Sequence, residues 1–134
     1  MKYFSLLVFS FSSLLTFAQE EVYTIVEDMP MFDKACLELP KDKKDKCSQD
    51  SWFAYLKTIK TPKNTLNKGE KARVYMSFIV EKNKEIGSIS ILRSSGYKKL
   101  DKAALKHLKK MPNFYKAGHQ RDKPVRVKFN FPID

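Results

Sequence analysis

RSSGYKKLDKAALKHLKKMPNFYKAGHQRDKPVRVKFNF, residues Arg93 to Phe131, sets out a turn, a helix, a loop and a strand in that order. Ser94-Ser95-Gly96 has the polar, glycine-containing composition of a turn. Leu100, Ala104, Leu108 and Met111 recur at i, i+4, i+8 and i+11, one stripe of an amphipathic helix. Pro112 stops that helix, because proline has no N–H and biases its predecessor away from the helical region. Val125, Val127, Phe129 and Phe131 then alternate with Arg126, Lys128 and Asn130, the period of a half-buried strand.

Working outward, Val74, Met76, Phe78 and Val80 form one face of a strand within Arg73 to Lys82. Tyr75, Ser77 and Ile79 form the other face. Asn83 to Gly87 is a turn and Ser88 to Leu92 a second strand, so a hairpin is the simplest arrangement. The predicted fold class is α+β: a three-stranded antiparallel sheet, β-β-α-β, with the helix packed on one face. A short strand at Val22 to Val26 and an N-terminal helix precede it. Asp33 to Leu39 is expected to hold a helical turn stopped by Pro40, and Lys41 to Lys46 an exposed charged loop. Ser48 or Asp50 would cap the N-terminal helix, which runs through Ile59 with Trp52, Leu56 and Ile59 on one face. Trp52 reads as a core anchor rather than a ligand platform. Thr61 to Gly69 reads as a connector.

Ser94-Ser95-Gly96-Tyr97, then Leu100-Asp101, then Ala103-Ala104-Leu105, resembles the signature of the TonB C-terminal domain family, S-S-G-x-x-x-L-D-x-A-A-L. Lys123 to Phe129 and Phe131-Pro132-Ile133 are similar to that family's last strand. The resemblance covers roughly Ala72 to Ile133, and Val22 to Pro30 is a weaker echo of a segment that precedes the domain in some members. One position departs: the family commonly has F-x-P after the helix, where this chain has Phe114-Tyr115-Lys116. The resemblance implies structural roles for Ser94, Ser95, Gly96, Leu100, Asp101, Ala103, Ala104 and Leu105. Gly96 supplies a positive φ, Asp101 faces the helix dipole, and the alanines permit close approach of helix to sheet.

Three segments follow from this: 1–18, 19–71 and 72–134. Lys2, the apolar run Tyr3 to Phe17 and the small-residue end Thr16-Phe17-Ala18 have the form of a secretory signal peptide. The other reading is a membrane anchor, though the run falls short of the ~20 residues a spanning helix needs. With cleavage, the mature chain has no membrane span and is periplasmic or secreted. Cys36 and Cys47, an even count in an oxidising compartment, predict a disulfide.

The net charge of +11 favours anionic partners. Export removes nucleic acid from that set and leaves envelope polymers, lipid headgroups and acidic protein segments. Lys98, Lys99, Lys102, Lys106, Lys109 and Lys110 are either a polymer-binding face or the solvated side of the helix.

Catalytic material is sparse. His107 and His119 have no triad pattern around them, and no G-x-S-x-G, H-E-x-x-H or phosphate-binding glycine loop occurs. The expectation is a non-catalytic protein with no cofactor and no metal. The resemblance implies a module that binds an extended segment of a TonB-dependent outer-membrane receptor by β-strand addition. The expected edge is Val125, Arg126, Val127, Lys128, Phe129, Asn130 and Phe131, unless Val22 to Val26 already covers it. It also implies that force transduction needs a membrane anchor and a long spacer. Neither is evident in the sequence, so the expectation is a TonB-like accessory or binding protein. The alternative is a basic envelope protein that binds anionic polymer with the same fold.

Overall fold

The computed structural model describes residues 21–62 and 71–134. The export segment expected over 1–18 and most of the connector expected over 61–69 lie outside the described residues. In chain order the elements are β1 (Val22–Tyr23), α1 (Lys41–Leu56), β2 (Val74–Val80), β3 (Ile86–Arg93), α2 (Lys98–Lys109), β4 (Gly118–Gln120) and β5 (Lys123–Ile133). A 3-10 turn, Lys34–Glu38, precedes α1. The sheet order is β1-β5-β2-β3, with β4 paired to β5 off that path.

The expected β-β-α-β unit is present, with β2, β3 and β5 antiparallel. β2 and β5 run together from Val74↔Ile133 to Val80↔Val127, which places Met76 opposite Phe131 and Phe78 opposite Phe129. That register puts the apolar residues of both strands on the face that meets the helices. Val74, Met76, Phe78 and Val80 are fully buried there, with Ala104 and Leu108 of α2 and Trp52 and Leu56 of α1. Burial of each large side chain stabilises by roughly 1.5–3 kcal/mol. Met111 and Phe114 close one end of this core.

Five local expectations are corrected. First, Lys41 to Lys46 is not a loop: α1 begins at Lys41, well before Ser48 or Asp50. Pro40 stands at its N-cap, and the Pro40 carbonyl accepts from the N–H groups of Lys43 and Lys44. Lysine is a good helix former, and Asp42 in the first turn faces the positive end of the dipole. Ser48 is buried instead, donating to the Pro30 carbonyl (3.2 Å) and accepting from Phe32 N–H (2.8 Å). Second, α1 ends at Leu56, before Ile59. Third, the strand expected over Val22 to Val26 is only Val22–Tyr23, and Ile25 is 82% exposed. Fourth, the loop expected between Pro112 and Val125 contains β4. Fifth, β3 spans Ile86–Arg93 rather than Ser88 to Leu92.

Cys36 and Cys47 form a disulfide that ties the 3-10 turn to α1, with Cα atoms 5.6 Å apart and Cys36 fully buried. A second clamp joins the helices. Tyr55 and His107 stack at 4.4 Å, and Tyr55 Oη donates to the His107 carbonyl at 2.8 Å. The sheet and the clamp together fix α1 beside β5, where the outer edge of that strand lies.

Candidate functional site: the outer edge of β5

The two residues that turn the chain from β4 into β5, Arg121 and Asp122, both have positive φ (51° and 62°). That is the backbone of a two-residue hairpin turn whose twist matches the strands. Along one side β5 pairs with β2 from Val127 to Ile133. Elsewhere it meets two short strands: β4 is antiparallel to Lys123, Pro124 and Val125, and β1 is parallel at Arg126 and Val127. Beyond Val127, on the side away from β2, no strand of the described residues lies beside it.

The expected edge is therefore divided. Val125, Arg126 and Val127 already have strand partners, and the Lys128 N–H turns outward onto the Tyr23 carbonyl of β1, so Phe129, Asn130 and Phe131 are the residues with strand partners on the β2 side alone among the described residues. Side chains alternate across this stretch. Val127 and Phe131 are buried and Phe129 half-buried toward the helices; Lys128 is half-buried and Asn130 exposed on the opposite face. Backbone direction follows from Pro132. Proline has no N–H to offer β2, so 128, 130 and 132 are the positions whose backbone groups turn outward. Arg126 is bonded through Nε to Glu81 Oε2 (2.6 Å) and through Nη2 to Glu81 Oε1 (3.1 Å), which ties the covered end of β5 to the end of β2.

Two clefts run between α1 and the uncovered stretch. One is lined by Pro30, Ser48, Gln49, Trp52 and Phe129; the other by Phe53, Leu56, Lys57, Pro132 and Ile133. The walls of these clefts mix the aromatic and aliphatic groups of Trp52, Phe53, Leu56 and Phe129 with polar Ser48, Gln49 and Lys57. The sequence reading missed the contribution of α1 to this site. Its signal was Trp52, the only tryptophan, close to Phe53 and Leu56.

The motif residues lie apart from this edge, at the start of α2. Gly96 has φ +88°. The Asp101 carboxylate does not act on the dipole alone: it accepts from Ser94 Oγ (2.5 Å), Ser95 N (3.0 Å) and Ser95 Oγ (2.6 Å). Leu100 and Ala104 are buried, Ala103 and Leu105 half-buried. Burial pushes the Asp101 carboxyl upward, but the two serine hydroxyls and the Ser95 N–H outweigh it and hold it below the ordinary carboxylate range. A depressed folded-state value means that the stabilisation is present above the unfolded carboxyl value, about 3.9, and is lost as pH falls through the folded one. Asp101→Asn should therefore lower Tm at pH 7, and the difference from the unaltered chain should shrink toward pH 3. Thermal melts across that range check it; a pH-independent difference contradicts it.

At Lys116, where the family commonly has proline, the backbone N–H donates to the Met31 carbonyl (3.1 Å) and the carbonyl accepts from Met31 N–H (3.0 Å). Proline there would forfeit the donor, which gives the departure a physical reason. Gly118 is close-packed: a Cβ would meet Val127 Cγ2 at 2.6 Å. No group of three His, Cys, Asp or Glu placed to hold a metal ion occurs among the described residues, and no helix among them is long and apolar enough to cross a membrane.

A family model described as Gram-negative bacterial TonB protein C-terminal matches residues 60–134, starting ahead of the boundary expected at 72. No curated protein and no solved structure matches the chain.

Proposed function

The chain belongs to the TonB C-terminal domain family, and from that premise we propose that it is a non-catalytic, periplasmic, TonB-like binding module of TonB-dependent transport. It takes an extended segment of an outer-membrane receptor onto the outer edge of β5 by strand addition. The observation that carries this reading is the stretch Phe129 to Ile133, whose outward backbone groups, at Asn130 and Pro132, have no strand partner among the described residues. An unpaired row of N–H and C=O groups on a sheet edge is a template for another strand. The residues proposed to bind are Phe129, Asn130 and Phe131. Val125, Arg126, Val127 and Lys128 join them only where their present partners give way. The disulfide suits an oxidising compartment outside the cytoplasm.

The basic face of α2 supports a second reading, retention on anionic envelope polymer. Lys98, Lys99, Lys102, Lys106, Lys109 and Lys110 are all exposed. Salt separates the two. Main-chain pairing is little affected by ionic strength, whereas contacts between exposed charges are largely screened when the Debye length falls to about 3 Å at 1 M salt. Immobilised peptides from the periplasmic N-termini of such receptors should retain the protein at that salt. Release from the peptides, with capture by anionic polymer at low salt only, contradicts the docking proposal and favours the polymer.

A further inference from the structure

β1 occupies part of the same edge on slender terms. It is two residues long and pairs in parallel, Val22 with Arg126 and Tyr23 with Val127. Val22 is 40% exposed, and the first core residue that follows is Val26. The Tyr23 hydroxyl donates to Glu21 Oε2, a contact within the segment that does nothing to attach it to the sheet. β1 is thus held chiefly by its main chain, in the parallel arrangement that is the weaker per residue. The next stretch is anchored separately. Glu27 N–H donates to Gln120 Oε1 at 2.8 Å, and Asp28 and His119 exchange two backbone hydrogen bonds at 2.8 and 3.1 Å. A released β1 would stay tethered a few residues from its seat, at high effective concentration.

We infer that β1 is a displaceable strand of the chain's own, which holds the Arg126–Val127 part of the edge until an incoming segment takes its place. This rests on the docking proposal for the same edge and adds its regulation. Displacement opens the edge back to Arg126, so an incoming strand meets a longer run than Phe129 to Ile133. Affinity is then reduced by the fraction of molecules in which β1 is seated, and weakening β1 strengthens binding.

The probe is a fluorescent peptide with the sequence Glu21 to Glu27, EVYTIVE, added to the full chain and to full-chain Tyr23→Pro. Proline at Tyr23 removes the backbone donor of β1 at a half-buried position. The variant should bind the peptide about tenfold more tightly than the unaltered chain, as when β1 is seated in roughly nine molecules of ten. A second measurement needs no variant: unlabelled peptide should accelerate amide exchange at Val22 to Thr24 of the unaltered chain. Equal affinities, no binding by either chain, or unchanged exchange overturns the inference. The two proposals fail separately. Receptor segments that bind both chains equally overturn displacement and leave docking intact. If receptor segments bind neither chain, docking fails, and the β1 peptide still decides whether the strand is displaceable.

Discussion

A chain carrying Asn130→Pro is expected to fold as the unaltered chain does and to bind receptor-derived segments at least tenfold more weakly. The separation follows from backbone direction. Position 130 lies opposite Ser77, and its backbone groups turn away from β2, as those of Pro132 do, beyond the reach of β1. Proline tolerates an outward position on an edge strand because the lost donor was not part of the internal ladder. For an incoming strand that donor is part of the seat, and the ring stands where the new strand would approach. A tenfold loss corresponds to about 1.4 kcal/mol, within reach of one or two main-chain hydrogen bonds at roughly 0.5–1.5 kcal/mol each. Phe129→Pro is the counterpart: its backbone faces β2 and its side chain packs against Trp52 and Phe78, so it should lose folding before binding can be asked about. Lys106→Ala, on exposed α2, should do neither. Circular dichroism and titration of the same samples check all three. Full binding by a folded Asn130→Pro chain, with loss in Lys106→Ala, contradicts strand addition and makes the lysine face of α2 the binding surface.

Trp52→Ala should destabilise the protein by about 3–5 kcal/mol, the range for deleting a large buried aromatic. Trp52 is 3% exposed and lies between α1 and the sheet. Its ring is 5.5 Å from Phe78, 5.4 Å from Phe129 and 5.3 Å from Phe131. Net stability of a domain is only about 5–15 kcal/mol, so this one change takes a large share of it. The cleft walls depend on α1 staying in place, so a folded fraction of the variant should also bind receptor segments less tightly. The neighbouring Phe53, only half-buried, should cost less when cut to alanine. Urea denaturation of both variants measures the difference. A loss below about 1 kcal/mol at Trp52 would mean that α1 does not hold the sheet as the ring contacts indicate.

Periodicity made the central unit legible. The stripe Leu100, Ala104, Leu108, Met111 became α2 and the end of the core, and the alternation from Val125 to Phe131 became β5. Where periodicity was missing, the reading failed. Lys41 to Lys46 has no apolar residue to mark a face, so a helix start built on lysine propensity and a proline N-cap looked like a loop. Gly118, His119 and Gln120 are too few and too polar to announce a strand; β4 exists because the Arg121–Asp122 turn folds it onto β5. Val22 and Tyr23 looked like a strand from composition, but parallel pairing across more than a hundred residues leaves no local mark. That pairing decides how much of the candidate edge is open. The family motif, by contrast, was legible and lies away from the edge: Ser94, Ser95, Gly96 and Asp101 build the entrance to α2.

The most direct test of docking on β5 is amide exchange mapped residue by residue, with and without a bound receptor segment. Strand addition predicts new protection at Asn130, whose N–H turns outward and has no strand partner among the described residues, and none at Lys102 to Lys110 beyond the helix's own. Protection that leaves Asn130 unchanged, or shifts confined to the lysine face of α2, would contradict it.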